Sequence, residues 1–171
     1  MQKEYLRISF ALLLIIFISG CDKGIEPIEE QGYGHFSGTV TFSGHWPEGI
    51  KRTHVVVFKN IIQRSEDFFP PNISFVVDSI PYGSSSFDFN SIEDNYISIF
   101  QLGSGIYNYV VVAQSKTPDI SLERKDWFVV GIYCINDDQT RPAKLQIRKD
   151  EITPNINIHV DFNNPPPQPP M

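Results

Sequence analysis

Tyr96-Ile-Ser-Ile-Phe-Gln-Leu-Gly-Ser-Gly-Ile-Tyr-Asn-Tyr-Val-Val-Val-Ala113 reads as a strand, a tight corner and a second strand. Along the first arm Ile97, Ile99 and Gln101 share one side, and Tyr96, Ser98, Phe100 and Leu102 the other. Past the corner, Tyr107, Tyr109, Val111 and Ala113 alternate with Ile106, Asn108, Val110 and Val112. Successive side chains of a strand point to opposite faces, so both faces of the second arm are largely apolar. Such a strand belongs in the middle of a sheet covered on both sides, or has its ends tucked beneath loops. Leu102, Gly105 and Tyr107 have the spacing of a tyrosine corner, in which the ring packs and its hydroxyl bonds backbone upstream. The stretch predicts an all-β protein, a Greek-key β-sandwich.

The segments on either side extend that pattern. His35 to Phe42 alternates, with Phe36, Gly38, Val40 and Phe42 inward. Thr53–Lys59, Ile73–Val77, a short edge strand near Ser86–Phe89, Trp127–Ile135, Ala143–Arg148 and Asn155–Phe162 read as further strands. Between them lie turn-rich connections: Ser43–Gly49, Ile61–Asn72 with one helical turn near Gln63–Asp67, the charged Gln114–Asp126, the turn Asn136–Gln139, and Asp150–Pro154. No segment sustains a helical period. The expected total is about seven to nine strands.

Composition agrees. Apolar residues make up 41% of the 171, aromatic 13% and charged 20%, which excludes a wholly disordered chain. A net charge of −6 and no basic stripe exclude nucleic acid as a partner. The N-terminus reads as a processing signal. Lys3 and Arg7 precede the uncharged run Phe10–Ile18, and Ile18-Ser-Gly-Cys21 follows. Small residues before a Cys resemble a bacterial lipobox, whose signal is cleaved before the Cys that then carries lipid. The expected organisation is a lipoprotein signal peptide over 1–20, lipidation at Cys21, a flexible tether over 21–34, the sandwich over 35–162, and a Pro-rich disordered tail over 163–171. Fatty acyl chains such as palmitate would hold the chain in the bacterial cell envelope, on the periplasmic or outer side of a membrane. Which membrane stays open.

Lipidation of Cys21 leaves Cys134 alone, so no disulfide is expected, and a small buried hydrophobe is its ordinary role. His35, His45, His54 and His159 are too widely spaced for a local metal motif, although His35 and His159 fall on first and last strands that are candidates for neighbours. They read as solvent-facing strand residues. Asn136-Asp-Asp138 carries oxygens suited to Ca²⁺, but a hairpin turn favours the same residue types. Ser84–Ser86 and Ser104 lack the nucleophile-elbow pattern. No catalytic residue, metal ligand or cofactor is assigned. The one binding hint is aromatic: Trp46, Phe68, Phe69 and Tyr82 form a candidate patch at one end of the sandwich, or plug that end.

Gly38-Thr-Val-Thr-Phe-Ser-Gly44, Val55-Val-Val-Phe58, Ile99 to Tyr107, Val110-Val-Val-Ala113 and the alternating last strand follow an order that resembles carboxypeptidase regulatory-like domains. The resemblance implies a transthyretin-like (immunoglobulin-like) sandwich acting as a non-catalytic binding or spacer module for an envelope protein or glycan. The hydroxyisourate hydrolases, an enzymatic transthyretin-like branch, end in Tyr-Arg-Gly-Ser, which this chain lacks. The alternative is an envelope hydrolase or metal-dependent enzyme using the loops at one end.

Overall fold

The computed structural model describes residues 32–97 and 100–171. The signal segment, Cys21 and most of the tether lie outside the described residues, as do Ser98 and Ile99. The described chain is all-β. Its strands are β1 (His35–Ser43), β2 (Arg52–Phe58), β3 (Ile73–Val76), β4 (Ser86–Asn90), β5 (Gly105–Tyr107), β6 (Tyr109–Ser115), β7 (Trp127–Ile132), β8 (Cys134–Ile135), β9 (Asp138–Pro142), β10 (Leu145–Ile147), β11 (Ile152–Thr153) and β12 (Ile158–Asp161). Short 3₁₀ turns occupy Ser65–Phe68 and Arg124–Asp126. The strand pieces outnumber the sequence expectation because two long strands are interrupted and because β9 and β11 form where turns were read. Tyr133 separates β7 from β8, and Asn108 separates β5 from β6.

Two larger sheets carry the fold. In one, β1 lies between β4, antiparallel, and the parallel pair β11 and β12. In the other, the order is β3-β2-β6-β7, all antiparallel. β5 pairs with β10, and β8 with β9 through a turn in which Asn136 and Asp137 both have positive φ, 54° and 58°. That is the backbone a tight two-residue hairpin needs.

A single inner core joins the two larger sheets. Phe36 and Val40 of β1, Phe89 of β4 and Ile158 and Val160 of β12 pack with Val55 and Val57 of β2 and Val110 and Val112 of β6. The rings of Phe36 and Phe75 meet edge to face at 5.6 Å. Val55, Val57, Val110 and Val112 are fully enclosed, and burial of each contributes roughly 1.5–3 kcal/mol. Their neighbours on the opposite face, Val56, Phe58, Tyr109, Val111 and Ala113, are buried too, in a second core with Phe68, Trp127, Val129 and Ile132. β6 is therefore a central strand with apolar cover on both faces.

β11 and β12 act as one strand with a bulge. His35 faces Ile152 and Val40 faces Ile158, so the later strand carries one residue more over the same span. The irregularity falls at Pro154–Asn155, where Asn155 has φ 64°. The bulged chain presses on Gly38, where a Cβ would lie 2.1 Å from the Ile156 carbonyl oxygen. The segment Asp150–Pro154, read from sequence as a turn, thus contains the short strand β11.

The corner stretch is half strand. Tyr96, Ile97 and Phe100–Leu102 are not extended pairs. Phe100 N–H donates to the Ile97 carbonyl at 2.8 Å and Asn95 Nδ2 to the Phe100 carbonyl at 3.0 Å. Beyond these residues, the buried Tyr107 hydroxyl donates to the Gly103 carbonyl at 2.9 Å, with Lys59 Nζ 4.6 Å from the ring centroid. Gly105 holds φ 143°, a conformation a side chain would strain. Leu102 is buried beside them.

Contacts reach beyond residues 35–162 at both ends: Tyr33 bridges to Gly103 and Gly34 N–H donates to the Leu102 carbonyl at 3.0 Å. The Pro-rich tail, expected to be disordered, lies against β7. Pro166 and Pro169 are buried, and the Gln168 side chain bonds the backbone of Val129. The tail stays because the amide side chain supplies the pairing that prolines cannot.

Candidate functional site

The outer face of the β3-β2-β6-β7 sheet carries the candidate site. Alternation along β2 sends His54, Val56 and Phe58 outward. β3 adds Ile73 and Val76, and β7 adds Trp127. Three groups of loop residues roof these: the 3₁₀ turn ending at Phe68 with Phe69 and Pro70; Tyr96, Ile97 and Phe100; and Ile120–Leu122. They leave an apolar cavity of about 130 Å³. Phe68 packs on Phe58 (5.3 Å), Phe69 (5.5 Å) and Trp127 (6.3 Å). Trp127 is fixed by its Nε1–H donating to the Ser121 carbonyl at 2.8 Å.

His54 is the polar group in this wall. It is 1% exposed, with its ring 4.8 Å from that of Tyr96 and 6.3 Å from that of Trp127. Nδ1 lies 2.9 Å from the Val77 carbonyl. A carbonyl only accepts, so Nδ1 carries the proton and Nε2 of the neutral ring is a bare acceptor. Nε2 is buried without a partner. Burial pushes the imidazole below the usual histidine range; Arg52 adds to the depression, and the Val77 bond and Asp78 oppose it. Tyr96, by contrast, is engaged: its hydroxyl accepts from Arg52 Nη1 at 2.7 Å.

Arg124 buttresses the site from beneath. It is 5% exposed, lies 4.8 Å from the Phe68 ring centroid, and donates to the Trp127 and Pro169 carbonyls, the latter at 3.0 Å. A buried guanidinium needs several acceptors to offset lost hydration, and these contacts tie loop, strand and tail together. Burial lowers its pKa, and it also depresses charge formation at Tyr109, whose pKa is raised to about 12.

The four aromatics read from sequence as one patch belong to two clusters. Phe68 and Phe69 line the cavity. Trp46 instead packs with Phe42 (4.7 Å), Phe162 (5.1 Å) and Tyr82 (5.3 Å), and its Nε1–H donates to the Ser84 carbonyl at 3.0 Å. Trp46 is half-buried and Tyr82 exposed. Leu102, Gly105 and Tyr107 are together at the corner described above. β1 and β12 do neighbour each other, but His159 faces Thr41, six residues along β1 from His35 and so roughly 20 Å away. His159 is held by Thr41 Oγ1 (3.0 Å) and Ser43 Oγ (3.2 Å). Among the described residues no group of three or more His, Cys, Asp or Glu gathers as a metal-binding set. A wider cleft of about 820 Å³ is lined by Lys59, Arg64 and Lys144 among others; within it Arg64 pairs with Asp67, and Asn72 bonds Asn60.

His54, Tyr96, Trp127, Ile120 and Leu122 line the cavity, and the sequence reading assigned none of them to a site. The signal for His54 was its two-residue spacing from Val56 and Phe58, which puts it on a buried face. No protein-family model matches the chain, and comparison with curated proteins and with solved structures finds no similar one.

Proposed function

We propose that the chain is a lipid-anchored binding module of a bacterial cell envelope. Acylated Cys21 holds it at the membrane, and a Greek-key, transthyretin-like sandwich presents a recognition site. The observation that carries the binding role is the aromatic cavity on the outer sheet face, rimmed by Leu122, which is 76% exposed, and Ile120, which is 45% exposed. Large apolar side chains left in water around a concavity mark sites that receive something. The anchor is supported by the order of positive start, apolar run and Ser19-Gly20-Cys21.

The test has two parts. Metabolic labelling with an alkyne fatty acid should tag the chain, and Cys21→Ser should abolish the tag; an unlabelled wild-type chain would overturn the anchor. Pull-down and glycan-array measurements with the wild-type chain, compared with Leu122→Glu, should give a signal that the charge at the rim removes. Equal signals would overturn the assignment of the rim.

A further inference from the structure

The geometry points to a single-ring phenol as the occupant of the outer-face cavity, its hydroxyl donating to His54 Nε2. This rests on reading the chain as a binding module and names the chemistry that module takes.

Size sets the first limit. A cavity of about 130 Å³ is close to the roughly 150 Å³ apolar cavity that binds benzene in a well-packed protein, so one six-membered ring is the natural scale. The walls set the second. Phe68, Phe69, Tyr96, Phe100 and Trp127 offer ring edges and faces, which favour an aromatic guest over an aliphatic one of equal volume. His54 sets the third. His54 lines the cavity, and its Nε2 is buried without a hydrogen-bond partner among the described residues. A buried acceptor left unmade is costly, and water would need two to four polar partners to settle there. The wall's other hydroxyls are engaged, Tyr96 accepting from Arg52 and Ser121 donating to Asp126. A ring carrying a single donor satisfies Nε2 and fills the apolar remainder.

The chemistry has two sources, a free phenol or a tyrosine side chain displayed by a peptide. The test uses the full chain in lipid nanodiscs, with empty nanodiscs as the blank. Calorimetric titration compares p-cresol, 4-methylanisole and toluene, and adds the peptide Ala-Tyr-Ala. p-Cresol should bind about tenfold more tightly than toluene, the factor expected of one buried hydrogen bond. 4-Methylanisole keeps the ring but cannot donate, and should bind no better than toluene. The histidine ¹⁵Nε2 resonance of His54 should shift with p-cresol alone. His54→Phe should erase the preference while retaining toluene. Binding of Ala-Tyr-Ala as well as p-cresol supports the tyrosine source; p-cresol alone supports the free phenol. Equal binding of p-cresol and 4-methylanisole by the wild type, or binding of neither, overturns the inference without requiring any variant to fold. The acylation and array measurements decide the module reading separately.

Discussion

The side-chain amide of Gln168 pairs with the backbone of Val129 in both directions, donating to its carbonyl at 2.7 Å and accepting from its N–H at 3.0 Å. β7 closes one side of its sheet, and an uncovered strand edge is a template for another chain. One amide stands in for a strand there, and the prolines around it offer no further donors. Gln168→Ala should therefore cost about 1–2 kcal/mol in urea denaturation and speed hydrogen exchange at Val129. Removing 163–171 should also produce larger species in light scattering. Unchanged exchange at Val129 would show the tail to be idle.

Arg124 should be intolerant. Arg124→Ala removes donors to the Trp127 and Pro169 carbonyls and the cation over Phe68, for a loss of about 2–4 kcal/mol by thermal or chemical denaturation. The same variant should free the tail, read as faster exchange at Val129. Arg124→Lys should recover only part of this, because an ammonium cannot spread donors over two carbonyls in a fixed fork.

Tyr107→Phe deletes only the hydroxyl bonded to Gly103 and should cost about 1 kcal/mol, whereas Tyr107→Ala should cost roughly 3–5 kcal/mol through the vacated core. Denaturant midpoints with an unchanged slope would report both. Equal losses for the two variants would mean that the hydroxyl, not the packed ring, holds the corner.

Acid should weaken the fold through His54. Its folded pKa lies below the unfolded value near 6.5, so the unfolded chain binds the proton more readily. The stability this contributes is complete above pH 6.5 and falls away as pH drops from 6.5 through the folded value. Arg52 and Asp78 act on the group with opposite sign. Denaturation free energies of the wild type should decline across that window, and His54→Phe should flatten the decline. An equal slope in both proteins would remove His54 from the account.

The central strands were legible because alternation is a direct imprint of two buried faces: Val110 and Val112 point into one core, Tyr109 and Val111 into the other. The half of the corner from Tyr96 to Leu102 was not. Its apolar residues suit a strand equally well, but Tyr96, Ile97 and Phe100 line the cavity on the outer sheet face. A roofing loop and a strand need the same greasy residues, and periodicity cannot separate them. The tail misled for the opposite reason. Proline content signals lack of donors, yet the pairing is supplied by the side chain of Gln168, which leaves no period in the sequence. His54 was read as facing solvent because polarity was weighed above position. Its two-residue spacing from Val56 and Phe58 put it on a covered face.

The parallel pairing of β1 with β12 has a consequence for how the molecule comes into being. The earliest strand of the domain needs the last one to complete its flank, with Val40 waiting for Ile158 and Phe42 for Val160. A nascent chain delivered N-terminus first must keep Phe36 and Val40 without their final neighbours until residue 161 has emerged. Contacts so distant in sequence close late and slowly, which leaves the polypeptide threadable for as long as it is still being delivered.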